Sequence, residues 1–393
     1  MQKKVSALYI HIPYCISKCS YCDFFSIAHG NTIPDEYIEA LCNEIKFRLA
    51  SLLIKEIKTI YIGGGTPSLL SDSQLRKIFS VIQNSVTILD KAEINVEVNP
   101  DDVTAGLLES LWHCGVNRLS CGLQSMNDAA LKKACRRADA AINRKALSII
   151  KENWKGDTSF DLISGLPGDD EKSLLAGLEE VISYNPSHIS LYSLTIEEKT
   201  PFGRQLEAGL LDYDFDFADK LWLSGRNYLE GQGYKWYEVS NFCREGKECA
   251  HNLVYWTHGD YAGCGSAACG SIYNEDGSGF RWTNTTDLEE YIKFWGRLVN
   301  PQTSCLPQTY EQIDKETSEF EFFMMGLRKL SGISQSDYQM IFGENMPEKF
   351  LKLFSEWEKK GLCIKRREPD GHSFYAMSRE GMLFLNRFNM ELL

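Results

Sequence analysis

At 393 residues with 43% hydrophobic content, the chain has enough apolar material for one large α/β domain and a smaller one. Its 42 Lys and Arg against 54 Asp and Glu leave a net charge of −12, which argues against a general nucleic-acid binder, because phosphate contacts need a basic face. Thirteen cysteines, an odd number without an export signal, point to reduced thiols rather than a disulfide framework.

The chain opens on "MQKKVSALYIHIPYC", whose short apolar run is broken by His11 and Pro13. It reads as neither a signal peptide nor a membrane span, so a cytoplasmic protein that is not transmembrane is expected, with peripheral membrane contact left open. "CISKCSYCDF" follows and places Cys15, Cys19 and Cys22 within eight residues. A closed zinc site or a fully ligated iron–sulfur cluster takes four protein ligands, so three suggest one metal position left for something else. The nearest fourth zinc ligands, His11 and His29, do not give a finger spacing.

Six apolar runs predict strands at 6–12, 58–65, 93–100, 118–125, 159–167 and 188–194. Between them lie helical stretches such as "DEYIEALCNEIKFRLASL" and "DEKSLLAGLEEVISY", several opening on an Asp or Ser suited to N-capping. The repeats predict an α/β core, a partial (β/α)6 barrel with a parallel sheet, over residues 1–205. Residues 206–305, aromatic and Gly-rich, read as short strands and loops carrying "HNLVYW". Residues 306–393 read as three helices, a hairpin and a last helix, a winged-helix-like module. The mixed charges of "FLKLFSEWEKKG" favour packing or interaction there over DNA reading.

In a parallel barrel the working residues gather at the C-terminal strand ends. The polar oddities fall there: the cysteine loop, "GGGTPS" at 63–68, Glu97, Gln124 and Asp161. Thiolates suit a cluster, glycines let backbone amides approach a ligand, and carboxylates on apolar strands need partners. Together they outline one polar cavity.

"YIHIPYCISKCSYCDF" resembles the signature of the radical S-adenosylmethionine (radical SAM) enzymes, in the branch of oxygen-independent coproporphyrinogen III oxidases and the HemW-type haem chaperones. The resemblance implies that Cys15, Cys19 and Cys22 hold a [4Fe-4S] cluster whose fourth iron binds the amino and carboxylate groups of S-adenosylmethionine (SAM). The cosubstrate is then the missing ligand. It further implies that Tyr9, Tyr21, Gly64, Gly65, Thr66, Glu97, Gln124, Arg136, Asp161 and Thr195 form the SAM pocket. Beside Arg136 the chain departs from the family pattern, with Cys135 for a glycine and Ala138 for a histidine.

Within the branch, the oxidase carries a further cysteine two positions after the third and a longer leading segment. This chain has Phe24 there and 14 residues before Cys15. "HNLVYW" matches the HNxxYW motif of the chaperone-type members, which implies haem bound by His251, Asn252, Tyr255 and Trp256. The resemblance thus implies a haem chaperone with apo-haemoprotein recipients and a flavodoxin- or ferredoxin-type electron donor. The alternatives are coproporphyrinogen III oxidation, a radical SAM haem methyltransferase and, from another class, a zinc-stabilised winged-helix regulator.

Overall fold

In β1 (Ala7–Ile12), Leu8, Ile10 and Ile12 are fully buried on one face, and alternation turns Tyr9 and His11 to the other. The same two-residue period runs through β2 (Glu56–Gly64), β3 (Thr87–Val98), β4 (Arg118–Gln124), β5 (Asp157–Ser164) and β6 (His188–Ser193). These six strands pair in parallel and in chain order, joined by helical crossovers that include α1 (Asp35–Ser51), α2 (Asp72–Ser85), α3 (Ala105–His113), α4 (Asp128–Lys133), α5 (Ala140–Asn153) and α6 (Glu171–Ile182). Ser71 and Asp170 cap α2 and α6, their side chains accepting from the amides of Gln74 and Ser173. The computed structural model describes residues 5–297, 306–367, 371 and 373–393.

The strands are not apolar throughout. Thr59 and Tyr61, Asn95 and Glu97, Ser120, Ser159 and Asp161, and His188 and Ser190 occupy alternate positions of neighbouring strands, giving the inner face a polar lining. The reading of near-continuous apolar strands holds for the helix-facing side alone.

Three further strands lengthen this sheet. After α7 (Pro201–Glu207) and α8 (Phe215–Gly231) come β7 (Lys235–Glu238) and β8 (Asn241–Cys243). β8 pairs antiparallel with β6, and β7 lies outside β8. At the other edge β9 (Ala262–Cys264) runs parallel beside β1. Among the described residues β7 and β9 do not pair with each other, so the barrel is incomplete. Residues 206–305 therefore belong partly to the main sheet.

The expectation of strands and loops for that segment also missed three helices: α8, α9 (Ala250–Trp256) and α10 (Leu288–Trp295). In α8, Ala218, Leu221, Trp222 and Leu229 form a buried stripe, but aromatic residues scattered on its outer face mask the period. The small residues of "GCGSAACG" pack closely: a Cβ on Gly263 would lie 1.9 Å from the Cys269 carbonyl oxygen.

A second sheet joins β10 (Cys269–Tyr273), β11 (Gly279–Asn284) and β12 (Gln308–Ile313). The C-terminal part contains α11 (Lys315–Gly326), β13 (Ile333–Ser334), α12 (Gln335–Phe342), α13 (Glu348–Lys359), β14 (Cys363–Arg367), β15 (Ser373–Met377) and α14 (Leu385–Leu392). β15 pairs with β13 and β14, giving the winged-helix-like arrangement. The expected boundary at 305/306 and the hairpin tip at 368–370 involve positions outside the described residues.

Candidate functional site

The cysteine loop leaves β1 and is tied down by backbone hydrogen bonds along its length. The carbonyl of Cys15 accepts from the His29 amide at 2.9 Å. Further on, the Ser20 amide donates to Ala134 O at 3.0 Å, while Ser20 O accepts from the Phe202 amide at 2.9 Å. Tyr21 packs against the small apolar cluster of Ile163, Leu166, Leu194 and Phe202. With its middle fixed in this way, the loop places the half-buried Cys15, Cys19 and Cys22 in the wall of one cavity of about 340 Å³.

The glycine run forms the adjoining wall. Gly64 has φ +110, and a Cβ there would lie 2.5 Å from the His11 ring; one on Gly65 would lie 2.7 Å from Tyr14 O. Only glycine permits this approach to the end of β1. Thr66 then sets its hydroxyl 3.3 Å from Cys15 Sγ.

Glu97 accepts from the Tyr61 hydroxyl at 2.7 Å and from the Gly64 amide at 3.2 Å. Burial pushes its carboxyl up to about 7, and the neighbouring Asp161 adds to the rise. Asp161, also raised by burial, accepts from the Ser120 hydroxyl at 2.7 Å and the Ser159 hydroxyl at 3.2 Å. Arg136 donates through Nη2 to Gly122 O at 2.6 Å and to Asn99 Oδ1 at 3.2 Å, and its Nη1 lies 3.5 Å from Cys19 Sγ. Its buried Nε has no protein partner. Gln124, at φ +68, ends β4 on the cavity, and Thr195 follows β6 into the same wall.

The structure thus brings together, of the residues expected to hold SAM, all but Tyr9. The Tyr9 hydroxyl pairs instead with His11 Nδ1 at 2.9 Å, and its ring stacks on Tyr61. Tyr61 and Tyr192 line the cavity and were missed by the sequence reading, as were Asn99 and Ser120. The signal for Tyr61 and Ser120 was their two-residue spacing from Gly63 and Gly122 on the same strand faces, and for Asn99 its place just past the end of β3.

The HNLVYW residues lie outside this cavity, on α9. Glu93 of β3 caps that helix by accepting from the amides of Ala250 at 3.0 Å and His251 at 2.9 Å. His251 is 1% exposed; its Nδ1 pairs with Thr59 Oγ1 at 2.9 Å and its Nε2 with the Tyr255 hydroxyl at 2.8 Å. Burial holds its imidazole down at about 3, so it is neutral. Trp256 lies under the Arg328 guanidinium at 5.1 Å, and Asn252, on the same helix as Trp256, is half-buried. In this conformation His251 offers no free nitrogen to iron, because both are hydrogen-bonded within the fold.

The residues present fit the cofactors that the signature implies. Glu97 has two donors and no cation among its partners, so a ligand bearing an ammonium group would supply the missing counter-charge. Arg136 offers a fixed cation, and three thiols share the same wall. Among the described residues no three Cys, His, Asp or Glu side chains converge on a point suited to a single metal ion.

Fold and site define a radical SAM protein: the model of the Radical SAM superfamily matches residues 9–181. The chain is 33% identical over 388 residues to the haem chaperone HemW of Buchnera aphidicola from Schizaphis graminum, covering 97% of this chain and 96% of that protein. It is 35% identical over 336 residues to HemW of Escherichia coli K12, covering 84% and 85%, and 34% identical over 360 residues to HemW of Bacillus subtilis, covering 91% and 92%. The chain belongs to the HemW haem-chaperone family of radical SAM proteins. In fold it is also similar to the coproporphyrinogen III oxidase of Escherichia coli, with a TM-score of 0.80 at 22% identity over 100% of this chain and 90% of that one.

Proposed function

We propose that this protein is a haem chaperone that carries a [4Fe-4S] cluster, SAM and haem and delivers haem to apoproteins such as respiratory cytochromes. The observation that carries this reading is the match to haem chaperones along nearly the whole chain, HNLVYW segment included. Phe24, in place of the oxidase's further cysteine, favours the same side.

Cys15, Cys19 and Cys22 would hold three irons of the cluster, leaving the fourth for SAM. When bound, the cluster and SAM supply one-electron chemistry, fed by a flavodoxin- or ferredoxin-type donor. Glu97 would face the ammonium of SAM, with Gly64, Gly65 and Thr66 beside its methionine part, Tyr21 near the adenine, and Gln124, Arg136, Asp161 and Thr195 completing the pocket. Tyr9 would join them only after its hydroxyl leaves His11. The charge on Arg136 offsets the negative charge that thiolates bring to the cavity.

For haem, His251 would be the axial ligand, with Asn252, Tyr255 and Trp256 forming the surrounding surface. A neutral imidazole is the form that binds iron, but ligation requires His251 to leave Thr59 or Tyr255. We assign residues 1–205 to the cofactors, 206–305 to haem and 306–393 to contact with the recipient. Among the described residues no helix is long and apolar enough to cross a membrane. A cytoplasmic protein that meets membrane-bound recipients from outside the bilayer fits this role.

The test is a haem titration of cluster-loaded wild type beside His251→Ala and Tyr255→Phe, followed by transfer to an apocytochrome. Haem should bind, more weakly in His251→Ala, with iron–sulfur content unchanged. Haem affinity indifferent to both residues, or no transfer, would overturn the reading.

A further inference from the structure

The HNLVYW helix and the cofactor cavity share one string of side chains. The His251 ring lies against the Tyr61 ring, with centroids 5.3 Å apart. Tyr61 in turn donates its hydroxyl to Glu97 at 2.7 Å. Both ends of the string rest on β3, because Glu93, which caps α9, stands four residues before Glu97 on the same strand face.

Iron binds imidazole through a ring nitrogen, and both nitrogens of His251 are engaged. Ligation must therefore break the bond to Thr59 or to Tyr255 and withdraw the ring from Tyr61. A Tyr61 ring without that neighbour loses part of the packing that aims its hydroxyl. Glu97 then loses one of the two donors that favour its ionised form in a buried site.

We propose that haem ligation by His251 and SAM binding at Glu97 are antagonistic, His251 acting through Tyr61 as a positioning residue for the cofactor carboxylate. The inference rests on the haem reading above and adds its regulation. A filled SAM pocket keeps the haem helix closed, and haem capture loosens the cofactor. Linkage requires each ligand to weaken the other by the same factor, expected here to be about tenfold.

The experiment uses cluster-loaded protein. Equilibrium dialysis measures SAM affinity with and without saturating haem, and Soret titration measures haem affinity with and without saturating SAM. Both constants should weaken by the same factor. In Tyr61→Phe, which keeps the ring and loses the hydroxyl, SAM should bind more weakly without haem and haem should no longer affect it. In His251→Gln the Soret band of the ligated form should be lost. If that band is lost but haem leaves wild-type SAM affinity unchanged, the antagonism is overturned and the haem reading stands. If the Soret band is the same in His251→Gln as in wild type, both fall. Antagonism that persists undiminished in Tyr61→Phe would overturn the role given to Tyr61.

Discussion

Arg136 Nη1 stands 3.5 Å from Cys19 Sγ while the same guanidinium is anchored to Gly122 O and Asn99 Oδ1, so a fixed cation of the sheet wall faces the middle cysteine of the loop. The bend that aims it is made at Cys135, which takes φ +54 where the family pattern has glycine. Cys135 thus adopts the left-handed conformation that glycine takes most readily. Cys19→Ser should abolish the broad visible absorption of a reconstituted sample and lower its iron content, because the serine hydroxyl is a poor substitute for thiolate. Iron content equal to wild type would remove Cys19 from the ligand set.

Glu97 predicts a pH dependence whose sign follows from its raised carboxyl. Between the usual 4.5 and about 7 the folded protein holds a proton that the unfolded chain has released, so stability falls as pH rises through that window. The gap corresponds to roughly 3 kcal/mol at most, and water in the cavity lowers it. Glu97→Gln should flatten this dependence and raise the melting temperature of the cofactor-free protein at pH 8, yet weaken SAM binding at least tenfold. A variant that melts below wild type at pH 8 would contradict the electrostatic account, and unaltered SAM affinity would contradict the assigned contact.

What the sequence revealed follows from where its signals stood. Cys15, Gly64, Glu97 and Gln124 fall at or just past the ends of strands, where a polar or glycine residue interrupts an apolar run and is conspicuous; Asp161 lies inside β5, contrary to its expected place at a strand end, and stood out only as a carboxylate in an apolar run. Tyr61 and Ser120 sit inside their strands, where such residues also serve as ordinary packing, and only the barrel curvature turns them into cavity wall. His251 was legible as a motif but not as a buried residue. Its partners Thr59 and Tyr61 are about 190 residues away in the chain, and no local pattern announces that contact.

The helix α8, hidden in the sequence by its aromatic residues, makes a separate stability prediction. Gly225 lets it approach β6 so closely that a Cβ would lie 2.7 Å from Leu191 Cδ2 and 3.4 Å from Leu178 Cδ1. Gly225→Ala gains about 1 kcal/mol of helix propensity but must push two core leucines, which costs about 1–3 kcal/mol. The net result should be a lower midpoint in urea unfolding with little change in cluster content. A midpoint at or above that of wild type would mean the leucines repack freely.

The last prediction separates chaperone from oxidase. Oxidative decarboxylation of coproporphyrinogen III requires one propionate to be held in a single pose at the cavity mouth, and orientation of that kind needs fixed groups that grip carboxylates. The basic side chains lining the cavity are Lys18 and Arg136. Lys18 donates to Phe24 O at 3.3 Å, and Arg136, held through Nη2 by Gly122 and Asn99, belongs to the cofactor wall. At the position of the oxidase's further cysteine, Phe24 is 70% exposed and presents an apolar face instead. Such a mouth offers no fixed clamp for a propionate. Anaerobic incubation of the cluster-loaded protein with reductant, SAM and coproporphyrinogen III should therefore yield no protoporphyrinogen IX above the enzyme-free control, while the same preparation binds haem. Protoporphyrinogen formed in proportion to protein would assign the chain to the oxidase activity.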